Sequence, residues 1–304
     1  MKRLITVLIV SVAAFFALDF AIDRAMMHGV KNYYGLNQKP DILLLGHSHL
    51  MLATDKQRME KELGMTVSKY CREGVSVADK KVMAEHFINS GLADSLKYVL
   101  YGVDLYSFTV GGLSNNVYKL FYPFMDDADV NDYIHREASA TDYWLHKIVR
   151  TSRYNNDGVK NGAVRGWMNN WDNLKTNTID VEQYKKEIAV GGEQKIEMNP
   201  KLIRALKETV DMFTSKDITV ILVNTPTLNL LNEHDPEMYN RMVTWFKNYS
   251  DSNALVKYWD YNPQYSSDYS LFSDKLHLNV KGQELITTYL VKDLDSLNNR
   301  TKQK

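Results

Sequence analysis

DILLLGHSH, residues 41–49, opens on a run of four apolar positions bounded by Asp41 and Gly46. A short unbroken apolar run flanked by turn residues predicts a strand buried on both faces, as in a parallel sheet. The chain downstream repeats the pattern. A helix capped by Thr54 is predicted through about Leu63, a short strand over 65–70, a helix over 77–89 and a strand over 97–103. After a long interruption come a helix from Pro200 to Ser215, with proline well placed in its first turn, and the strand ITVILVN at 218–224. A helix over 236–249, a strand over 254–259 and a helix over 280–297 complete the series. Strands alternating with helices of this length predict an α/β three-layer α/β/α sandwich of about five parallel strands, within a domain over residues 41–304.

Residues 106–198 break the alternation. They hold Trp144, Trp167, Trp171 and many tyrosines, with DYWLHKIV (142–149) and VEQYKKEI (181–188) as candidate helices. So long a stretch needs structure of its own, and the expectation is an insertion folded over the carboxyl edge of the sheet. It is the natural place for specificity; a packing subdomain with buried aromatics is the other reading.

Upstream, Lys2-Arg3 precedes an apolar run from Leu4 to Leu18, broken by Thr6 and Ser11. Carried on to Ile22 it reaches roughly 28 Å as a helix, enough for a hydrocarbon core. Residues 1–22 therefore read as a transmembrane anchor with Asp19 at the interface, and residues 23–40 as a connector ending at Pro40. The positive-inside tendency puts the rest of the chain outside the cytoplasmic membrane, facing the periplasm or cell exterior. A cleaved signal peptide is the rival reading, given the small residues Ala13, Ala14 and Ala17, and it leads to the same destination.

Composition narrows the partners. Among 304 residues, 37 basic and 37 acidic side chains cancel, which argues against nucleic acid, and a 44% hydrophobic content excludes general disorder. One cysteine, Cys71, excludes an internal disulfide framework and any Cys-rich metal site. It is expected to be an inert thiol.

Ligands of open parallel sheets bind at the carboxyl ends of the strands, where Ser48 follows Gly46-His47. An ordinary turn serine would look the same, and the lipase elbow is not matched because Leu50 stands where its second glycine belongs. At the far end of the chain, SDKLHLNVKGQ places Asp274 three residues before His277. A carboxylate at that spacing can hold imidazole Nδ1–H and leave Nε2 to take a serine proton, giving a triad in the order Ser48, Asp274, His277. Each motif alone is common; together, both at sheet-edge positions, they point to acyl transfer. His47 and His49 flank the serine, but residues two apart do not share a helix face and no acidic third ligand stands at ligand spacing. No metal is expected there, nor a cofactor elsewhere.

With these motifs the sequence resembles the SGNH (GDSL-like) hydrolase superfamily, in particular its membrane-anchored branch of D-alanyl transfer proteins and polysaccharide O-acetyltransferases. The resemblance spans about residues 41–297 and rests on short blocks: Asp41–His49 with Ser48 as nucleophile, Gly74 in CREGVS, and Asp274, His277 and Leu278. It implies a flavodoxin-like sheet and an oxyanion hole formed by the backbone N–H groups of Ser48 and Gly74. The activity it implies is that of an esterase or O-acyltransferase acting on an acylated cell-envelope or secreted glycan or another ester, with a multi-spanning membrane protein delivering the acyl group. One block departs: Gly102-Val103-Asp104-Leu105 puts Asp104 where the family carries an oxyanion asparagine. An ionised carboxylate cannot donate to an oxyanion, so Asp104 is expected to be protonated, turned away or used to orient another donor; Asn224 is either a substitute donor or, the favoured reading, a polar residue closing its strand before Thr225-Pro226. The same departure keeps open a non-catalytic glycan-binding or assembly protein that has retained the fold.

Overall fold

The computed structural model describes residues 1–110, 116–189 and 195–302, so parts of the expected insertion, 111–115 and 190–194, lie outside the described residues. In chain order the elements are α1 (Lys2–Tyr34), β1 (Ile42–Gly46), α2 (Ser48–Ala53), α3 (Lys56–Leu63), β2 (Val67–Cys71), α4 (Val77–Asn89) and β3 (Tyr98–Val103). There follow α5 (Ala128–Glu137), α6 (Ala140–Ile148), α7 (Asp157–Trp167), α8 (Val181–Ala189), α9 (Pro200–Thr214) and β4 (Thr219–Asn224). The chain ends with α10 (Asn229–His234), α11 (Pro236–Asp251), β5 (Val256–Asp260), α12 (Asn262–Tyr265) and α13 (Val280–Lys302). Short 3-10 segments lie at Val117–Phe124, Arg150–Tyr154 and Tyr269–Leu271. Two compact units result: a helical one from residues 1–37 and 116–170, and a sheet unit from 38–115 and 171–304.

The sheet unit carries five strands in the order β2-β1-β3-β4-β5, with every neighbouring pair parallel. Ile42, Leu43, Leu44 and Leu45 of β1 are fully buried, as are Val99, Leu100 and Tyr101 of β3, so both faces of the central strands are covered. Each such aliphatic side chain contributes about 1.5–3 kcal/mol through its burial. From β1 the chain steps one way to β2, and from β3 it steps the other way to β4. With right-handed crossovers, that reversal places α3 on one face and α4 and α9 on the other, and opens a crevice at the carboxyl ends of β1 and β3. One boundary differs from expectation. Thr54 closes α2, and it is Asp55 that caps α3, its carboxylate accepting from Arg58 N at 3.0 Å.

The helical unit departs further. Helix α1 does not stop at residue 22; it runs through the expected connector to Tyr34 and is closed by Gly35 at φ 70°. No proline interrupts 23–34, and Gly29 is accommodated because α7 packs against it. A side chain at Gly29 would overlap the backbone of Ala163, and one at Gly166 would overlap that of Gly29, so the two backbones touch through small residues. Asn32 Nδ2 donates to Gly166 O at 2.5 Å and Trp167 Nε1 to Ala25 O at 2.8 Å. Residues 116–170 of the insertion therefore pack with the N-terminal helix as a unit of their own, and only its flanks belong to the sheet unit. Asp19 is buried against this unit: its carboxylate accepts from Arg150 N, Thr151 N and Thr151 Oγ1 at 2.6–2.8 Å. Among the described residues one helix, α1, is long and apolar enough to cross a membrane.

Candidate active site at the carboxyl edge of the sheet

Strand β1 ends at Gly46, and the chain turns at once into α2, with His47 as N-cap and Ser48 as the first helical residue. The turn depends on small residues below it. A Cβ at Gly46 would approach Leu50 to 2.9 Å and one at Gly102 would approach it to 3.0 Å, because Leu50 seats α2 over the ends of both β1 and β3. Ser48 is thereby held at the crevice where the strand order reverses, with 7% of its surface exposed.

His277 reaches Ser48 from the turn before α13. Its Nε2 lies 2.8 Å from Ser48 Oγ, and its Nδ1 lies 2.9 Å from both carboxylate oxygens of Asp274. Asp274 Oδ1 also accepts from Leu276 N and His277 N, which fixes the turn that carries the imidazole. Burial opposes ionisation of Asp274, but the bonds from His277 and these two backbone groups hold its carboxyl below the usual range. With Nδ1–H committed to an ionised Asp274, Nε2 presents its lone pair to the Ser48 hydroxyl. The three residues expected to act together are thus joined in one chain of hydrogen bonds.

Asp104 has a full set of neighbours of its own. Its Oδ1 accepts from Tyr106 N at 2.9 Å and Ser107 Oγ at 3.2 Å; its Oδ2 faces His47 Nε2 at 3.1 Å and His49 Nδ1 at 3.2 Å. Burial works against its charge, yet His47, His49, Lys80 and the Tyr106 N–H together hold its carboxyl below the usual range. Of the three options open to a carboxylate here, that direction favours an ionised group that orients its neighbours. The two histidines beside Ser48 are arranged about Asp104. Lys80 of α4 is buried nearby, donates to Gly102 O at 2.7 Å, and is pushed down to about 8 by burial.

The donor atoms of His47, His49 and Asp104 lie within 4.8 Å of one another, so the acidic third ligand missing from the local sequence is supplied through the fold. Tautomers argue against a metal all the same. His49 N donates to His47 Nδ1 at 3.1 Å, which leaves the proton of a neutral His47 on Nε2, the very atom that faces Asp104. A metal needs a lone pair there, so the trio reads as a charge-dipole cluster. Two of the family-like positions sit together: Gly74, at φ 71°, and Asp104 line a cavity of about 30 Å³ with His47, Lys80 and Ser107. Asn224 is elsewhere engaged. Its Nδ2 donates to Asp260 Oδ1 at 2.9 Å, on the residue paired with it across β4 and β5, and lies 3.4 Å from the Tyr258 hydroxyl, so its amide is engaged between these strands. Cys71 is buried and its thiol is pushed up to about 12 by burial, which suits an inert role.

A cleft of about 440 Å³ opens beside the triad, lined by Asp274 and His277 on one side and by Asn177, Thr178, Tyr184 and Glu187 on the other. Asn177 Nδ2 donates to Ser273 O and Ile179 N to Phe272 O, tying this part of the insertion to the turn that carries Asp274 and His277. Sequence patterning offered 181–188 as a candidate helix in the stretch expected to carry specificity, but it singled out neither a residue of 177–187 nor Lys80 for the site, since neither carries a motif.

The buried histidines make stability depend on pH. Burial pushes His49 down to about 4 and His47 in the same direction. The unfolded chain takes up these protons near 6.5, so it binds more protons than the folded chain between about pH 6.5 and 4, and stability falls as pH drops through that window. For His49 alone the loss is about 3 kcal/mol. Urea midpoints measured across the window are expected to fall more steeply in wild type than in His49→Asn; parallel slopes would refute this.

No protein-family model and no curated protein matches the chain. Solved structures that do match include a Streptococcus pneumonia protein provisionally named a platelet activating factor. It is 11% identical, and the match covers 95% of this chain and 98% of that one at a TM-score of 0.40. A similarity this shallow assigns neither family nor activity.

Proposed function

We propose that the protein carries out serine-dependent acyl transfer from an ester, in the manner of the SGNH hydrolases its motifs resemble. The observation that carries the reading is the unbroken chain from Ser48 Oγ through His277 to Asp274, with contacts of 2.8 and 2.9 Å. Ser48 Oγ attacks the ester carbonyl as His277 Nε2 takes its proton, while Asp274 stabilises the imidazolium. Backbone N–H groups of Ser48 and Gly74 are the proposed oxyanion donors. The leaving alcohol departs with the proton from Nε2 and leaves an acyl group on Ser48. A second hydroxyl then gives its proton to Nε2 and attacks the acyl carbon, and Nε2 returns that proton to Ser48 Oγ as the acyl–Oγ bond breaks. Water as that acceptor makes an esterase; a sugar hydroxyl makes an O-acyltransferase of an envelope or secreted glycan. The amide, hydroxyl, carboxylate and aromatic groups of the neighbouring cleft suit a polyhydroxylated acceptor.

Treating the full chain with a fluorophosphonate and mapping the adduct by mass spectrometry tests the proposal. The expected result is one phosphonylated residue, Ser48, and no adduct in His277→Ala. An unmodified Ser48 in folded wild-type protein would leave a non-catalytic binding role.

A further inference from the structure

We infer that the helical unit is itself seated in the membrane that α1 crosses, with the end of α6 and the 3-10 segment Arg150–Tyr154 lying at lipid depth and forming a collar around the helix. A hydrocarbon core of about 30 Å takes about 20 residues of helix, whereas Leu4–Leu18 supplies only about 22 Å. The span must therefore include residues 19–22. Leu18, Phe20 and Ile22 are exposed there, while Asp19 and Asp23, one turn apart on another face, are each only 3% exposed. An unpartnered carboxylate at that depth is costly.

Residues 150–154 remove that cost. Asp19 accepts from two backbone N–H groups and a hydroxyl at the start of the segment, and Asp23 from Tyr154 OH at 2.9 Å, with Arg150 Nη1 at 3.3 Å. These bonds fix Arg150–Tyr154 at the level of residues 19–23. The segment just before it, α6, then comes within reach of the same leaflet and shows it an apolar surface: Trp144 is 58% exposed, Ile148 55% and Leu145 46%. Among the described residues after α1, six of the eight large hydrophobic side chains that are exposed lie on α6 or at the end of α7. An exposed tryptophan with aliphatic neighbours at the end of a membrane span matches the interfacial belt of membrane proteins. The occupant of this surface is lipid.

The test uses the full chain in vesicles of phosphatidylcholine and phosphatidylglycerol. Nitroxide labels are placed at Trp144→Cys and Ile148→Cys, with Leu18→Cys as the lipid reference and Leu174→Cys, exposed on the sheet unit, as the aqueous one. Cys71 is buried, and unlabelled wild type checks that it stays silent. The ratio of oxygen to nickel-chelate collisions at 144 and 148 is expected to approach that at Leu18 and to exceed that at Leu174 several-fold. Water-like ratios at both positions, with Leu18 lipid-protected, would overturn the collar and leave the span intact; a water-like Leu18 would overturn both. A measurement free of labels repeats the test. Brominated lipids are expected to quench wild-type tryptophan fluorescence more than that of Trp144→Phe, and equal quenching would count against lipid contact at α6.

Discussion

Ser48→Ala and His277→Ala are each expected to lower acyl transfer by about ten-thousandfold, with the double variant no worse than either. Removing Oγ removes the nucleophile and leaves His277 Nε2 with nothing to deprotonate; removing the imidazole leaves a hydroxyl too weakly nucleophilic at neutral pH. Both proteins are expected to fold. Ser48 is the first residue of a helix, a position alanine tolerates, and its Oγ makes the His277 contact. Asp274→Asn is expected to cost somewhat less, since an amide oxygen can keep the bonds from Leu276 N and His277 N that shape the turn. Hydrolysis of p-nitrophenyl acetate at matched circular dichroism measures all four. Equal activity in wild type and Ser48→Ala would refute the mechanism.

Asp104→Asn is expected to reduce activity about tenfold or more on an acetyl and an aminoacyl ester alike, and to lower the melting temperature. An amide can preserve the oxygen that accepts from Tyr106 N and Ser107 Oγ. Its NH2 group would then confront His47 Nε2 and His49 Nδ1, toward which the carboxylate now turns its negative charge at 3.1 and 3.2 Å. The change also removes the negative charge that favours the charged form of buried Lys80, and a buried charge left with less compensation is destabilising. Because both carboxylate oxygens are engaged within the protein, recognition of a substrate ammonium is not the expected role. A loss confined to the aminoacyl ester would establish that role instead. A gain on both esters would mean that asparagine restores an oxyanion donor, and that the cluster does not position the residues around Ser48.

Periodicity and local motifs were enough for the sheet unit. Unbroken apolar runs at 42–45 and 220–223 form strands because a parallel sheet buries both faces, and each predicted strand is observed. The Asp274–His277 pair was legible because both residues lie in one turn, where spacing alone brings carboxylate to imidazole. Ser48 was legible through its place after the first strand.

Contacts between distant segments were beyond such reasoning. The rule that residues two apart diverge applies inside a helix; His47 is an N-cap with extended backbone, so its ring and that of His49 converge to 4.4 Å between centroids. Their common neighbour, Asp104, arrives from β3 only because the sheet order sets β3 beside β1. The register of β4 on β5 likewise gave the Asn224 amide to Asp260. The apolarity of residues 4–22 was sufficient to mark a helix able to cross a membrane, since partition into lipid depends on composition and length. Composition did not reveal that Asp19 and Asp23 find their hydrogen-bond donors more than 120 residues away, because those bonds exist only once residues 116–170 have packed on the same helix.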